Sequence, residues 1–95
     1  MGIELTASLL RKQLVEFRRE AVDYEASIHI VSAEIAVGLI EFKLKVDRSI
    51  LESEFQWFKA GFFLDMVVGN TKWAEIVDLY YELVTQAEEN GYIKA

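Results

Sequence analysis

Ten positions spaced alternately 4 and 3 residues apart run through the first half of this chain: Leu10, Leu14, Phe17, Ala21, Tyr24, Ile28, Val31, Ile35, Gly38 and Phe42. Eight are large and apolar and two are small. A seam of that period belongs to an α-helix with one face against another helix. Such a helix is a device for contact rather than for chemistry. Leu14, Phe17, Tyr24, Ile28, Val31 and Ile35 are therefore the expected self-association residues.

The seam is too long to stay straight in a small domain. A helix begun near Thr6 or Ser8 and run to Val46 would measure roughly 60 Å, whereas a compact domain of this size has a radius of gyration of about 13 Å. It must bend, break or project into an oligomer. Gly38, the poorest helix former on the seam, is the expected break, with Asp47-Arg48-Ser49 the next. Ser49 and Glu52 have the spacing of a capping box, so a second helix is expected from there to about Val68. Gly69-Asn70 ends it, Asn70 or Thr71 caps a third helix reaching Glu89, and Asn90-Gly91 supplies the C-terminal stop. The expectation is an all-α bundle of three to four helices with a long first helix, in a single domain over residues 1–95.

A competing pattern occupies residues 39–47. Ile40, Phe42, Leu44 and Val46 alternate with Glu41, Lys43, Lys45 and Asp47, which is strand periodicity. Ile28 and Ile30 around His29 would supply a partner strand, giving an α+β alternative with a short hairpin around residues 26–46. Helix is preferred. No turn dipeptide separates the two segments, and Glu41 with Lys45 forms a helical charge pair.

Composition sharpens the functional expectation. At 53% hydrophobic over 95 residues, the chain has more apolar surface than one small core easily hides, which points to a homo-oligomer or a bound partner. A net charge of −6 disfavours nucleic acid and anionic membranes, both of which select basic patches. Phe55 to Val68 is too short and too charged to span a bilayer, and no secretion signal opens the chain. A cytoplasmic protein is expected. With no cysteine, no thiolate nucleophile or disulfide is possible.

Catalytic and metal chemistry find little support. The one histidine, His29, has Glu25 four residues before it, but Asp23 and Glu34 do not share that face, so no metal set converges. The serines lie outside any nucleophile elbow and the glycines outside any phosphate loop. Glu52/Glu54 and Glu88/Glu89 read as surface pairs. The expectation is a non-enzyme with no cofactor and no metal.

Nine of the twelve aromatic residues lie at or after Phe55. Phe55, Phe58 and Phe62 form one stripe, while Trp57, Phe63, Leu64 and Val67 point elsewhere. A helix apolar on more than one face is buried on more than one, which makes Trp57 and Phe63 candidate partner anchors. The last helix is a clear amphipath. Trp73, Ile76, Val77, Tyr80, Leu83, Val84 and Ala87 fill one face, and Glu75, Asp78, Glu82, Gln86 and Glu89 line the other. No lysine or arginine occurs between Trp73 and Ile93. Glu75, Asp78, Glu82 and Glu89 suit docking on a basic surface. Arg11/Arg18 and Lys12/Arg19 form a basic ladder on the first helix, a possible complement to that acidic face.

The first functional expectation is an oligomeric helical inhibitor or adaptor that docks its acidic face on another, basic protein. The alternatives are a self-assembling structural subunit with no other partner, and a small-molecule pocket among the aromatics with Asp65 and Lys59 as polar contacts.

Overall fold

The computed structural model describes the backbone of residues 2–20, 24–60 and 70–94, and the side chains of all of these except 70–72. Within them lie four helices, α1 (Ile3–Glu20), α2 (Tyr24–Glu41), α3 (Arg48–Lys59) and α4 (Asn70–Asn90). Two two-residue strands, β1 (Val46–Asp47) and β2 (Ile93–Lys94), pair in parallel with Val46 opposite Ile93. The Val46 N–H donates to the Tyr92 carbonyl at 3.0 Å, tying the C-terminal segment to the α2–α3 connection. The fold is the expected all-α bundle, with an 18-residue first helix.

α1 and α2 form an antiparallel hairpin whose register is written in charge. Arg11 and Arg18 recur at seven residues on α1, and Glu34 and Glu41 recur at seven on α2. Arg11 meets Glu41 and Arg18 meets Glu34, each through two hydrogen bonds. Lys43 Nζ reaches Glu4 at 2.9 Å beyond them. These two arginines of the basic ladder thus face α2 and not the acidic α4, because the matching spacing lies on the neighbouring helix.

The hairpin also corrects the reading of the seam. Leu10, Leu14 and Phe17 of α1 are wholly buried. The same seam does not enter the core on α2, where Tyr24, Ile28, Val31, Ile35 and Phe42 are all exposed. α2 packs inward through Ala26, Ile30, Ala33, Val37 and Ile40, every one fully buried. Those residues form a second seam of spacing 4, 3, 4, 3, offset by two residues from the first. Two residues rotate a helix by about 200°, so the two seams lie on opposite faces. Two of the five residues on the inner one, Ala26 and Ala33, are small.

Gly38, the expected break, sits inside α2. The helix stops instead at a left-handed cap on Lys43 (φ 63°). There the Lys43 N–H donates to the Ile40 carbonyl at 2.9 Å and the Leu44 N–H to the Leu39 carbonyl at 2.7 Å, a Schellman motif. This cap also settles the hairpin alternative. Residues 26–41 are helical, and the one strand of the alternating tract, β1, pairs with the C-terminus.

α3 starts at Arg48, one residue before the expected Ser49, with Asp47 in extended conformation at the N-cap and no side-chain capping bond. It ends at Lys59, where the Ala60 N–H donates to the Gln56 carbonyl. The expected continuation to Val68 lies outside the described residues. α4 ends as expected, with Gly91 left-handed (φ 73°) and the Tyr92 N–H on the Ala87 carbonyl at 2.9 Å. Leu51 and Phe58 of α3 and Ile76, Tyr80, Leu83 and Ala87 of α4 close the core.

Candidate interaction surface

Among the described residues, the outer face of α2 carries a run of exposed large apolar side chains. Tyr24 is 81% exposed, Ile35 62% and Phe42 71%, with Ile28 and Val31 between them. The Phe42 N–H bonds to the Gly38 carbonyl at 3.0 Å, so Phe42 continues the helical stripe past the last residue of α2. From Tyr24 to Phe42 the stripe is about 27 Å long, in a molecule whose longest extent is 35 Å. Exposed Ile50 extends it sideways across a shallow recess lined by Ser32, Ile35, Leu39 and Val46. A contiguous apolar strip of this kind marks an interaction surface more often than a solvated one.

Of the expected self-association residues, Tyr24, Ile28, Val31 and Ile35 lie together on this face. Leu14 and Phe17 belong to the chain's own core, because the phase of the seam changes between α1 and α2.

The expected partner-binding residues divide likewise. Glu75, Asp78 and Glu89 are exposed on α4 and Glu82 is half-buried. None of the four forms an ion pair among the described residues, whereas Glu4, Glu34, Glu41 and Glu88 are each matched by lysine or arginine. Among the described residues, α4 thus presents four carboxylates that no lysine or arginine matches. Trp57 is a half-buried element of the fold, its ring stacked on His29 with centroids 3.9 Å apart. Phe63 lies outside the described residues, as do Phe62 and Asp65.

One cluster was not legible in the sequence. Glu54, read there as a surface residue, is 5% exposed. Its Oε2 lies 3.6 Å from Nδ1 of His29, beyond hydrogen-bond range. Burial pushes its carboxyl above the usual carboxylate range, opposed by His29 and by the Ser32 hydroxyl. His29 therefore faces Glu54 of α3 and not the expected Glu25. The signal was present: Leu51, Glu54 and Phe58, spaced 3 and 4, put a carboxylate among core positions. Hydroxyl activation needs the imidazole between serine and carboxylate. Here the carboxylate lies beside both Ser32 and His29 where α3 packs on α2, and its buried Oε2 has no hydrogen-bond partner among the described residues.

A recess of about 140 Å³ lies between α3 and α4, lined by Leu51, Glu52, Phe55, Tyr81, Val84 and Thr85. It is smaller than the roughly 300–1,000 Å³ of ligand pockets, and Lys59 is not part of its wall. Among the described residues no helix is long and apolar enough to cross a membrane, and no group of three or more histidine or acidic side chains converges as a metal site. Comparison with protein-family models, with curated proteins and with solved structures finds no match to this chain.

Proposed function

We propose that this chain is a non-enzymatic protein-binding module that works as a homo-oligomer, joined through the outer face of α2 and presenting the acidic face of α4 to a basic protein. The observation that carries this reading is that α2 bears two apolar seams on opposite faces, of which the fold buries one. An unburied seam facing water costs solubility unless another surface covers it. Glu75, Asp78, Glu82 and Glu89, none in an ion pair among the described residues, supply the second surface, where charge contributes chiefly to association rate and choice of partner.

Two variants test the two halves separately. Ile28→Glu with Ile35→Glu is expected to give a folded monomer in sedimentation velocity, with unchanged helical circular dichroism. Reversal of Glu75, Asp78 and Glu82 to lysine is expected to abolish salt-sensitive capture of a partner while leaving the oligomer intact. Wild-type protein that sediments as a monomer at every concentration sinks the first half. Partner capture that survives the triple reversal sinks the second. A bait that retains only itself makes the assembly the function.

A further inference from the structure

We propose that the outer face of α2 is occupied by a second copy of this chain, antiparallel about a two-fold axis, with Ile28 of each copy seated against Gly38 of the other. The proposal rests on the self-association reading above and gives it an orientation and a register.

The argument begins with spacing. Tyr24, Ile28, Val31, Ile35, Gly38 and Phe42 are separated by 4, 3, 4, 3 and 4 residues, a series that reads the same in both directions. A two-fold interface must be self-complementary, each patch meeting its own copy reversed. Centred between Val31 and Ile35, an antiparallel pairing sets Tyr24 against Phe42, Ile28 against Gly38 and Val31 against Ile35. Aromatic meets aromatic, and the largest gap in the stripe receives a β-branched side chain. In a parallel pairing Gly38 would meet Gly38 and leave a void, which close-packed interfaces do not tolerate.

Charge permits the same approach. Of the acidic residues beside the stripe, Glu34 and Glu41 are already matched by Arg18 and Arg11, so these two do not repel their counterparts on a second copy. Between Glu25 and Glu34 the stripe is flanked by Ser27 and Ser32. Area permits it as well. At the exposures of Tyr24, Ile28, Val31, Ile35, Phe42, Leu44 and Ile50, the face offers at most on the order of 800 Å², the upper limit matching what each partner contributes to an interface of standard size.

Gly38 separates association from folding. A β-carbon placed there meets only Arg11 Cδ, at 3.8 Å, an ordinary contact. Alanine therefore fits the monomer and removes a helix-interior glycine. It also fills the slot that Ile28 of the other copy requires. Gly38→Ala is expected to keep or raise the Tm while raising the dimer dissociation constant at least about tenfold, since the clash occurs twice per dimer.

The orientation is read by cross-linking, which the absence of native cysteine makes clean. Tyr24→Cys and Phe42→Cys are prepared separately, mixed and mildly oxidised. The antiparallel register gives a mixed disulfide dimer and little of either symmetric one, because like positions stand about 27 Å apart. Symmetric dimers from each variant alone, or no cross-link in a protein that sediments as a dimer, overturn the register and leave self-association standing. A wild-type monomer overturns both and assigns the face to a different protein.

Discussion

Arg18 of α1 grips Glu34 of α2 at two points, Nε to Oε2 at 2.6 Å and Nη2 to Oε1 at 3.3 Å. Arg11 and Glu41 repeat the contact seven residues along each helix in opposite directions. Repetition makes the pairs a register device, since a hairpin slipped by one turn would lose both. Each arginine is about 40% exposed, so the energy of one pair is small. Arg18→Glu is expected to cause a small loss of stability, because it sets like charge against Glu34. Adding Glu34→Arg is expected to recover most of it. A double-mutant cycle in urea measures the coupling, and additive losses would show that the pair is incidental.

Ile30 and Ile35 test which seam of α2 folds the chain. Ile30 is fully buried, whereas Ile35 is 62% exposed. Ile30→Ala should cost about 2–5 kcal/mol. Ile35→Ala, at a concentration low enough to keep the chain monomeric, should change stability by no more than about 0.5 kcal/mol. Equal losses from the two would contradict the hairpin phase.

Lys43 adopts a left-handed backbone without being glycine, a conformation that costs a side-chain-bearing residue roughly 1 kcal/mol. Lys43→Gly should relieve that cost. It forfeits the Lys43–Glu4 pair, which is exposed and worth little. The expected outcome is a net gain of about 0.5–1 kcal/mol in chemical denaturation. A loss of stability would mean that the pair, not the cap, dominates at this corner.

Glu54 makes folding depend on pH. Burial holds its carboxyl above the ordinary value of 4.5, so between that value and its own folded value the native state binds more protons than the unfolded one. Stability from this group is complete below 4.5 and declines as pH rises through the folded value. The groups facing it are His29 and Ser32 of α2 and Tyr80 of α4, whose own ionisation is opposed by burial and then by Glu54. Glu54→Gln should raise the Tm at pH 7 and flatten its dependence above 4.5. An unchanged pH profile would place the carboxylate in water.

The acidic face of α4, its inward face and its Gly91 stop were legible because a single amphipathic helix carries that information within its own residues. The unusual face of α2 was only half legible. Its exposed residues were named, but as continuations of the buried Leu10, Leu14 and Phe17. One 4-3 spacing runs from Leu10 to Phe42 in the sequence, but α1 and α2 bury faces of different phase along it. Small residues hid the true inner seam, because the buried Ala26 and Ala33 contribute little hydropathy.

Local pattern and capping chemistry were therefore enough to determine an all-α chain, the start of α3, the extent of α4 and an excess of apolar surface over core, but not the division of the first helical tract into α1 and α2. Tertiary structure alone decided which of two opposed seams on α2 was buried, that Arg11 and Arg18 matched Glu41 and Glu34, and that Glu54 came to face His29. The physical reason is that helix propensity and hydrophobic period are local quantities, set within a few turns. The choice between two apolar faces depends on packing volume and charge register against a helix distant in sequence, and on no neighbour along the chain.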